Sequence, residues 1–209
     1  MSSIDKIYVS HCAKLADRGE YITKVCSNHP YFLKKHAEVI TFTAEDDAAA
    51  LAAHRYIPNL AVWRSLLKDR EIFIAEQMYH IYDLIVRNGY DRTLILEDDF
   101  IIGETFATHH ERLLNSIPDD GDCTFISSCC NLVVSPDYPG DFCPMPTSRC
   151  TSGYVVTRDF CKKVLATKYS SPIDWHLNFI QAPLNLKYYW SKELLVEQGS
   201  ECQYKSNLR

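Results

Sequence analysis

Glycine and proline are scarce, 7 and 9 in 209 residues, which excludes a collagen-like chain or a flexible linker, since both need far more. No stretch approaches the ~18 consecutive apolar residues of a membrane-spanning helix. The opening residues, Met-Ser-Ser-Ile-Asp-Lys-Ile-Tyr-Val, lack the unbroken apolar core of a secretory signal because Asp5 and Lys6 interrupt it. A basic excess is missing too. The net charge is −5 and the pI about 5.9, which argues against a nucleic-acid partner. Internal repeats and low-complexity tracts are also absent.

What is present is 46% hydrophobic and 12% aromatic residues, which excludes disorder because such a chain has ample surface to bury. The length predicts a single domain over residues 1–209, whether alone or as part of a larger multidomain protein. A chain this long buries roughly 70% of its unfolded surface and needs no disulfide or zinc staple. Nine cysteines is an odd number, so at least one thiol lacks an intramolecular partner. The simplest expectation is a reducing, cytoplasmic location in which buried thiols act as small hydrophobes. A zinc site from Cys129, Cys130, Cys143 and Cys150 is disfavoured, because adjacent cysteines lack the C-x₂-C spacing.

Strands are predicted at Ile4–Ser10 and Ala37–Thr43, with a helix in the polar stretch between them. Asp46 and Asp47 are placed to cap a short helix over Ala48–Ala53, and Pro58 breaks the chain before Leu60–Leu67. The strongest helix runs from about Glu71 to Asn88. Ile74, Met78, Ile81 and Ile85 recur at helical spacing with Ala75, Tyr79, Tyr82 and Val86 beside them, and Gly89 sits where a left-handed cap belongs. Thr93–Leu96 is apolar on successive positions, as in a strand buried on both faces of a parallel sheet. Further helices are predicted at Phe106–Ile117, Asp159–Ala166 and from Ile173. Further strands are predicted at Cys123–Ser127, Tyr154–Thr157 and Leu186–Trp190, with a loop over Asn131–Arg149. This alternation predicts an α/β fold with a mostly parallel central sheet flanked by helices.

The chemistry-bearing feature is Glu97-Asp98-Asp99 at the carboxyl end of the buried strand, the edge where open α/β sheets bind ligands. Carboxylates ~4 Å apart repel by about 4 kcal/mol at an effective dielectric of 20. A hard divalent cation such as Mn²⁺ or Mg²⁺ relieves that repulsion. Side chains alternate along a strand, so Glu97 and Asp99 share one side and Asp98 takes the other. The spacing is that of an acid-x-acid metal clamp, against which stands the plainer reading of a solvated acidic turn.

The stretch Thr93-Leu-Ile-Leu-Glu-Asp-Asp-Phe-Ile resembles the Leu-Glu-Asp-Asp signature of glycosyltransferase family 25. That family includes lipopolysaccharide-biosynthesis and procollagen galactosyltransferases. Five other segments are similar to the family in the same order. They are Ile4-Asp-Lys-Ile-Tyr-Val-Ser-His with Asp17-Arg18, the helix bearing Tyr79-His80, Thr151-Ser-Gly-Tyr-Val-Val-Thr, Pro172-Ile-Asp-Trp-His-Leu and Val196-Glu-Gln-Gly-Ser. The chain departs in having Tyr79-His80 where relatives often carry Ser-His, and in lacking the Gly-rich lead-in to that helix.

The resemblance implies a GT-A, Rossmann-like fold binding a UDP-sugar with Mn²⁺ or Mg²⁺. It implies transfer of a hexose, typically galactose, with inversion, onto a hydroxyl of a glycan or glycoprotein acceptor. The setting is glycan biosynthesis of the lipopolysaccharide type, in the cytoplasm or at the cytosolic side of a membrane where glycans are built. The alternative is a non-catalytic sugar- or nucleotide-sugar-binding accessory module of the same fold.

Carried over residue by residue, Glu97 and Asp99 are the expected metal clamp, with His176 at the third metal position. Asp98 is expected on ribose or sugar hydroxyls, and Arg18 near the nucleotide unless it makes only a surface salt bridge. Asp174 is the expected catalytic base or holder of a sugar hydroxyl, with helix N-capping as the plainer role. His80 is expected as a nucleotide contact or as a core residue of an apolar helix face. Gly153 and Tyr154 either line the donor-sugar pocket or permit close strand packing. Gln198 and Lys205 are expected in a tail that covers the phosphates, with Ser200, Ser206 and Arg209 beside them. Trp175 and Trp190 are candidate platforms for acceptor sugars or core residues.

Overall fold

A computed structural model describes residues 3–53, 67–127, 129 and 132–202. The elements follow the chain as β1 (Lys6–Cys12), α1 (Ala16–Asn28), α2 (Pro30–Lys34), β2 (Glu38–Phe42), α3 (Ala44–Ala53), α4 (Asp69–Asn88) and β3 (Arg92–Leu96). Next come β4 (Phe100–Ile102), α5 (Glu104–Asn115), β5 (Cys123–Phe125), β6 (Phe142–Met145) and β7 (Gly153–Thr157). The last are α6 (Arg158–Leu165), α7 (Ile173–Gln181), β8 (Tyr188–Ser191), β9 (Val196–Gln198) and α8 (Gly199–Cys202).

Seven strands form one sheet in the order β2-β1-β3-β7-β5-β8-β6, and β4 pairs with β9 in a separate ribbon. Strands β1, β2, β3, β5 and β8 run in one direction, while β7 and β6 run against them. The α/β fold with its mostly parallel, helix-flanked sheet is therefore as predicted. The two reversed strands and the β4–β9 ribbon were not legible. Strand β6 lies inside the stretch predicted as a loop; it contains Pro144 and pairs with β8 at the sheet edge, where proline is tolerated.

The sheet is covered on both faces, which is why β3 is apolar at successive positions. On one face Ile95, Tyr8, Tyr154 and Val156 meet α4, α6 and α7; on the other Leu94, Leu96, Ile7 and Val155 meet α1, α2 and α5. Helix α4 buries Ile72, Ala75, Met78, Tyr79, Tyr82 and Ile85 in the first of these layers. It starts where Glu71 Oε2 accepts the Lys68 backbone N–H at 2.7 Å, and ends at Gly89 in the left-handed region at φ 75°. Helix α3 begins earlier than expected. Thr43 and Asp46 exchange bonds, with Asp46 Oδ2 accepting the Thr43 amide at 2.7 Å, so the cap falls at Thr43 and not at the aspartates.

The cysteines need a correction. Cys123 and Cys161 are buried free thiols as expected, but Cys129 and Cys150 form a disulfide. No helix among the described residues is long and apolar enough to cross a membrane. The predicted break at Pro58, residues 60–66 of the predicted segment Leu60–Leu67, and Cys130, Lys205, Ser206 and Arg209 lie outside the described residues.

Candidate functional site

The parallel strands bring the carboxyl ends of β1 and β3 to one edge of the sheet. There the chain leaves β3 in a tight turn, with the Phe100 amide donating to the Glu97 carbonyl at 3.2 Å. Strand β7 arrives at this edge by its amino end because it is reversed, so Thr151 and Ser152 sit beside the acids; the Glu97 amide donates to the Ser152 carbonyl at 3.1 Å.

The three acids then part. Glu97 and Asp99 line one cavity of about 200 Å³, as the alternation of side chains predicts. Asp98 turns toward β1 and accepts from Arg18 Nη1 at 2.5 Å and from the Cys12 amide at 3.1 Å, with His11 Nδ1 3.7 Å away. Burial by itself raises the Asp98 carboxyl, but the nearby His11 ring and the bonds from Cys12 and Arg18 outweigh it and hold the group below the usual carboxylate range. The sugar-hydroxyl role expected of Asp98 is thereby displaced, because its oxygens already tie α1 to the acidic turn. Arg18 is only 6% exposed and does line the cavity, so a mere surface salt bridge is excluded.

Asp99 is 5% exposed; its Oδ2 accepts the Ser200 amide at 3.3 Å, and its Oδ1 is buried with no hydrogen-bond partner. An orphaned carboxylate oxygen is costly unless something positive or hydrogen-bond-donating meets it. Glu97 accepts from Thr151 Oγ1 at 2.5 Å. Burial first, and then the charge of Asp99, push the Glu97 carboxyl well above its ordinary range. The cavity is also lined by Arg70, by Lys14, whose Nζ lies 3.6 Å from Asp47 Oδ2, and by the apolar Leu15, Phe73 and Ile74. Arg70, Phe73, Ile74 and Gln77 fall at i, i+3, i+4 and i+7, a second stripe of α4 that faces the cavity beside its buried stripe. Sequence reasoning assigned Ile74 to the core and missed the rest. The mixed stripe at helical spacing is the signal that was available.

A second cavity of about 220 Å³ shares Ile74, Glu97 and Gln198 with the first. Asp174 lines it from the first turn of α7, with Glu71, Thr151 and Trp175. The N-cap of α7 is Pro172, so plain capping does not account for Asp174. Burial first raises its carboxyl, aided by the charge of Glu71 and opposed by backbone amides of its own turn.

Gln198 and Ser200 come to the site through β9, held by its pairing with β4. Five other candidates line neither cavity. His176 points into the core, where Nε2 meets Thr167 Oγ1 at 2.9 Å and Tyr79 Oη at 3.2 Å; burial lowers its pKa to about 4. His80 is exposed and packs edge-on against Phe42, neither in the first cavity nor in the core. Gly153 allows strand packing, since a Cβ there would meet Leu96 and Ser127 at 3.3 Å. Tyr154 is buried, its hydroxyl bonded to Tyr82 at 2.8 Å. Trp190 is likewise core, donating to the Thr147 carbonyl at 2.8 Å, whereas Trp175 is 60% exposed.

Among the described residues no group of three or more His, Cys, Asp or Glu is arranged to hold a metal ion. Two cavity-facing carboxylates still fit a Mg²⁺-like ion, which commonly takes one or two protein carboxylates and completes its shell with water and substrate phosphate.

No family model matches the chain, and no curated protein matches it, so membership of glycosyltransferase family 25 is not shown. Two solved structures are similar along most of its length. The crystal structure of A197 from STIV has 12% identity and a TM-score of 0.44, covering 90% of this chain and 82% of that one. A glycosyltransferase involved in the glycosylation of the major capsid of PBCV-1 has 10% identity and a TM-score of 0.48, covering 96% and 94%. At this level of likeness neither says what the present chain does.

Proposed function

We propose that the chain is a glycosyltransferase that takes a nucleotide-sugar, UDP-galactose first among the candidates, at the acidic cavity. On this reading it transfers the sugar to a hydroxyl of an acceptor seated in the adjoining cavity. The observation that carries the reading is the buried, unpartnered Oδ1 of Asp99 beside Glu97, at the carboxyl edge of an α/β sheet, in a cavity also lined by Lys14 and Arg70. Two carboxylates facing each other's charge call for a cation, and the lysine and arginine suit a diphosphate.

Glu97 and Asp99 would hold Mn²⁺ or Mg²⁺, which when bound supplies charge neutralisation on the departing diphosphate. The remaining chemistry belongs to the chain's own residues. Thr151 orients Glu97, and Ser200 orients Asp99 through its amide. Asp174, with a carboxyl raised by burial, takes the proton from the attacking hydroxyl. Arg18 fixes the acidic turn to α1 through Asp98 and positions the pair.

The test is a panel of UDP-sugars with and without Mn²⁺, read by calorimetry and by UDP release. Metal-dependent binding of at least one is expected, lost in Asp99→Ala. Asp174→Asn should keep binding and lose turnover. Absence of binding across the panel would sink the transferase reading, whereas binding without turnover on any acceptor would favour an accessory module.

A further inference from the structure

The adjoining cavity has a composition that defines its occupant. Its charged lining is all of one sign, Glu71, Asp174 and the shared Glu97, with no lysine, arginine or histidine among its lining residues. From α7 the cavity is lined by Trp175, 60% exposed, and one turn further along the helix, outside the lining, stands Phe179, 55% exposed. Large aromatic side chains so exposed are unusual on a chain that buries most of its others, and two of them at i and i+4 form one continuous surface. Helix α7 is rigidly held beneath that surface: Leu177 and Ile180 are buried, Asn178 Oδ1 accepts the Ser148 amide at 2.5 Å, and the Ser148 hydroxyl donates to the Asp174 carbonyl at 2.8 Å. The platform is thus fixed before a ligand arrives.

Glu71 has one carboxylate oxygen committed to the Lys68 amide. Asp174 takes backbone amides of its own turn. Each carboxylate offers about four lone-pair sites, so both retain acceptor capacity. A flat aromatic face beside hydrogen-bond acceptors suits a ring with an apolar face and hydroxyls at its edge. Negative charge on the ligand would meet two or three carboxylates without a compensating cation.

We infer that this cavity is an acceptor subsite for an uncharged pyranose, stacked on Trp175 with its hydroxyls donated to Asp174 and Glu71, and that it rejects anionic sugars. The inference rests on the transferase reading for the word acceptor, but the sugar site itself stands on the cavity alone.

The test uses the full chain and methyl glycosides of glucose, galactose and mannose, against glucuronic acid and sialic acid glycosides as anionic probes. Binding is read from the backbone amide resonance of Thr151, which lines the same cavity and is kept in every variant, without nucleotide. At least one neutral glycoside should shift that resonance saturably, and the anionic probes should bind about tenfold more weakly at low salt. Trp175→Ala, a change at an exposed position, should weaken neutral-glycoside binding about tenfold, with partial rescue in Trp175→Phe. Equal binding of anionic probes, a glycoside response that survives Trp175→Ala, or no response to any neutral glycoside would each overturn the proposal. UDP and Mn²⁺ binding, measured in the same Trp175→Ala sample, should be unchanged. Loss of nucleotide binding in the wild-type chain would refute the transferase reading alone, leaving the sugar site to stand or fall on its own titration.

Discussion

Glu97→Gln should stabilise the metal-free protein while weakening its hold on a cation. Burial and then the Asp99 charge raise the Glu97 carboxyl in the folded state. Below the unfolded value, about 4.3 for a glutamate, both states are protonated and the site costs nothing. As pH rises, the unfolded chain gives up its proton first, so stability falls with each further unit until the folded carboxyl also ionises. The slope in that window is about 1.4 kcal/mol per pH unit, which would allow about 3–4 kcal/mol of penalty by neutral pH. Glu97 keeps some contact with solvent and with the Thr151 hydroxyl, so about 1–3 kcal/mol is the expected gain at neutral pH. Glutamine keeps the shape and an oxygen for the Thr151 bond. The assay is urea unfolding in a chelator at roughly pH 5, 7 and 8.5. The variant's midpoint should gain on the wild type's across the series, because His176, Asp174 and the buried thiols contribute alike to both. Added Mn²⁺ should raise the wild-type midpoint and leave the variant nearly unmoved. A variant that is less stable at neutral pH with metal chelated, or as steep in pH as the wild type, would refute the reasoning.

Arg18→Met should cost about 2–3 kcal/mol, below the full penalty for breaking a buried pair because Asp98 keeps the Cys12 amide. The stability that Asp98 supplies is present above its unfolded value of about 3.9 and is lost as pH falls through its lower folded value. Acid unfolding followed by circular dichroism should therefore begin at higher pH in the variant. His176→Gln should flatten the loss of stability between about 6.5, the unfolded imidazole value, and the folded value of about 4, while leaving Mn²⁺ affinity intact; a fall in that affinity would return His176 to the metal set. Replacing Cys129 and Cys150 by serine opens a loop of sequence separation 21 and should cost about 3 kcal/mol in chemical denaturation. A cost well under 1 kcal/mol would show that the loop is held by its packing alone.

Periodicity made the layered part of the fold legible. Both helix-flanked faces of β3 follow from its unbroken apolar run, and α4 follows from its spacing and Gly89. Strand direction was not legible, because Gly153–Thr157 has the same apolar character whether it runs with β3 or against it. The pairing of β4 with β9 was also hidden, since three-residue strands carry too little pattern. Within the site, alternation separated Glu97 and Asp99 from Asp98. The reach of Arg18 to Asp98 and of Ser200 to Asp99 depends on contacts 80 and 101 residues apart, which no local pattern encodes. His176 misled for the opposite reason: it lies two residues from Asp174, but a helix turns it about 200° away, into the core.

The β4–β9 ribbon gives the site a history as well as a shape. Asp99 is synthesised 101 residues before the Ser200 amide that meets it. At about 5–20 residues per second, that interval is roughly 5–20 s. During it the acidic turn has its strand partners in β1 and β3 but not the cover that shields Asp99. Closing the ribbon is a long-range step, slow by topology, and it completes both cavities at once through Gln198. The nascent chain therefore has its acids in place well before it has a binding site.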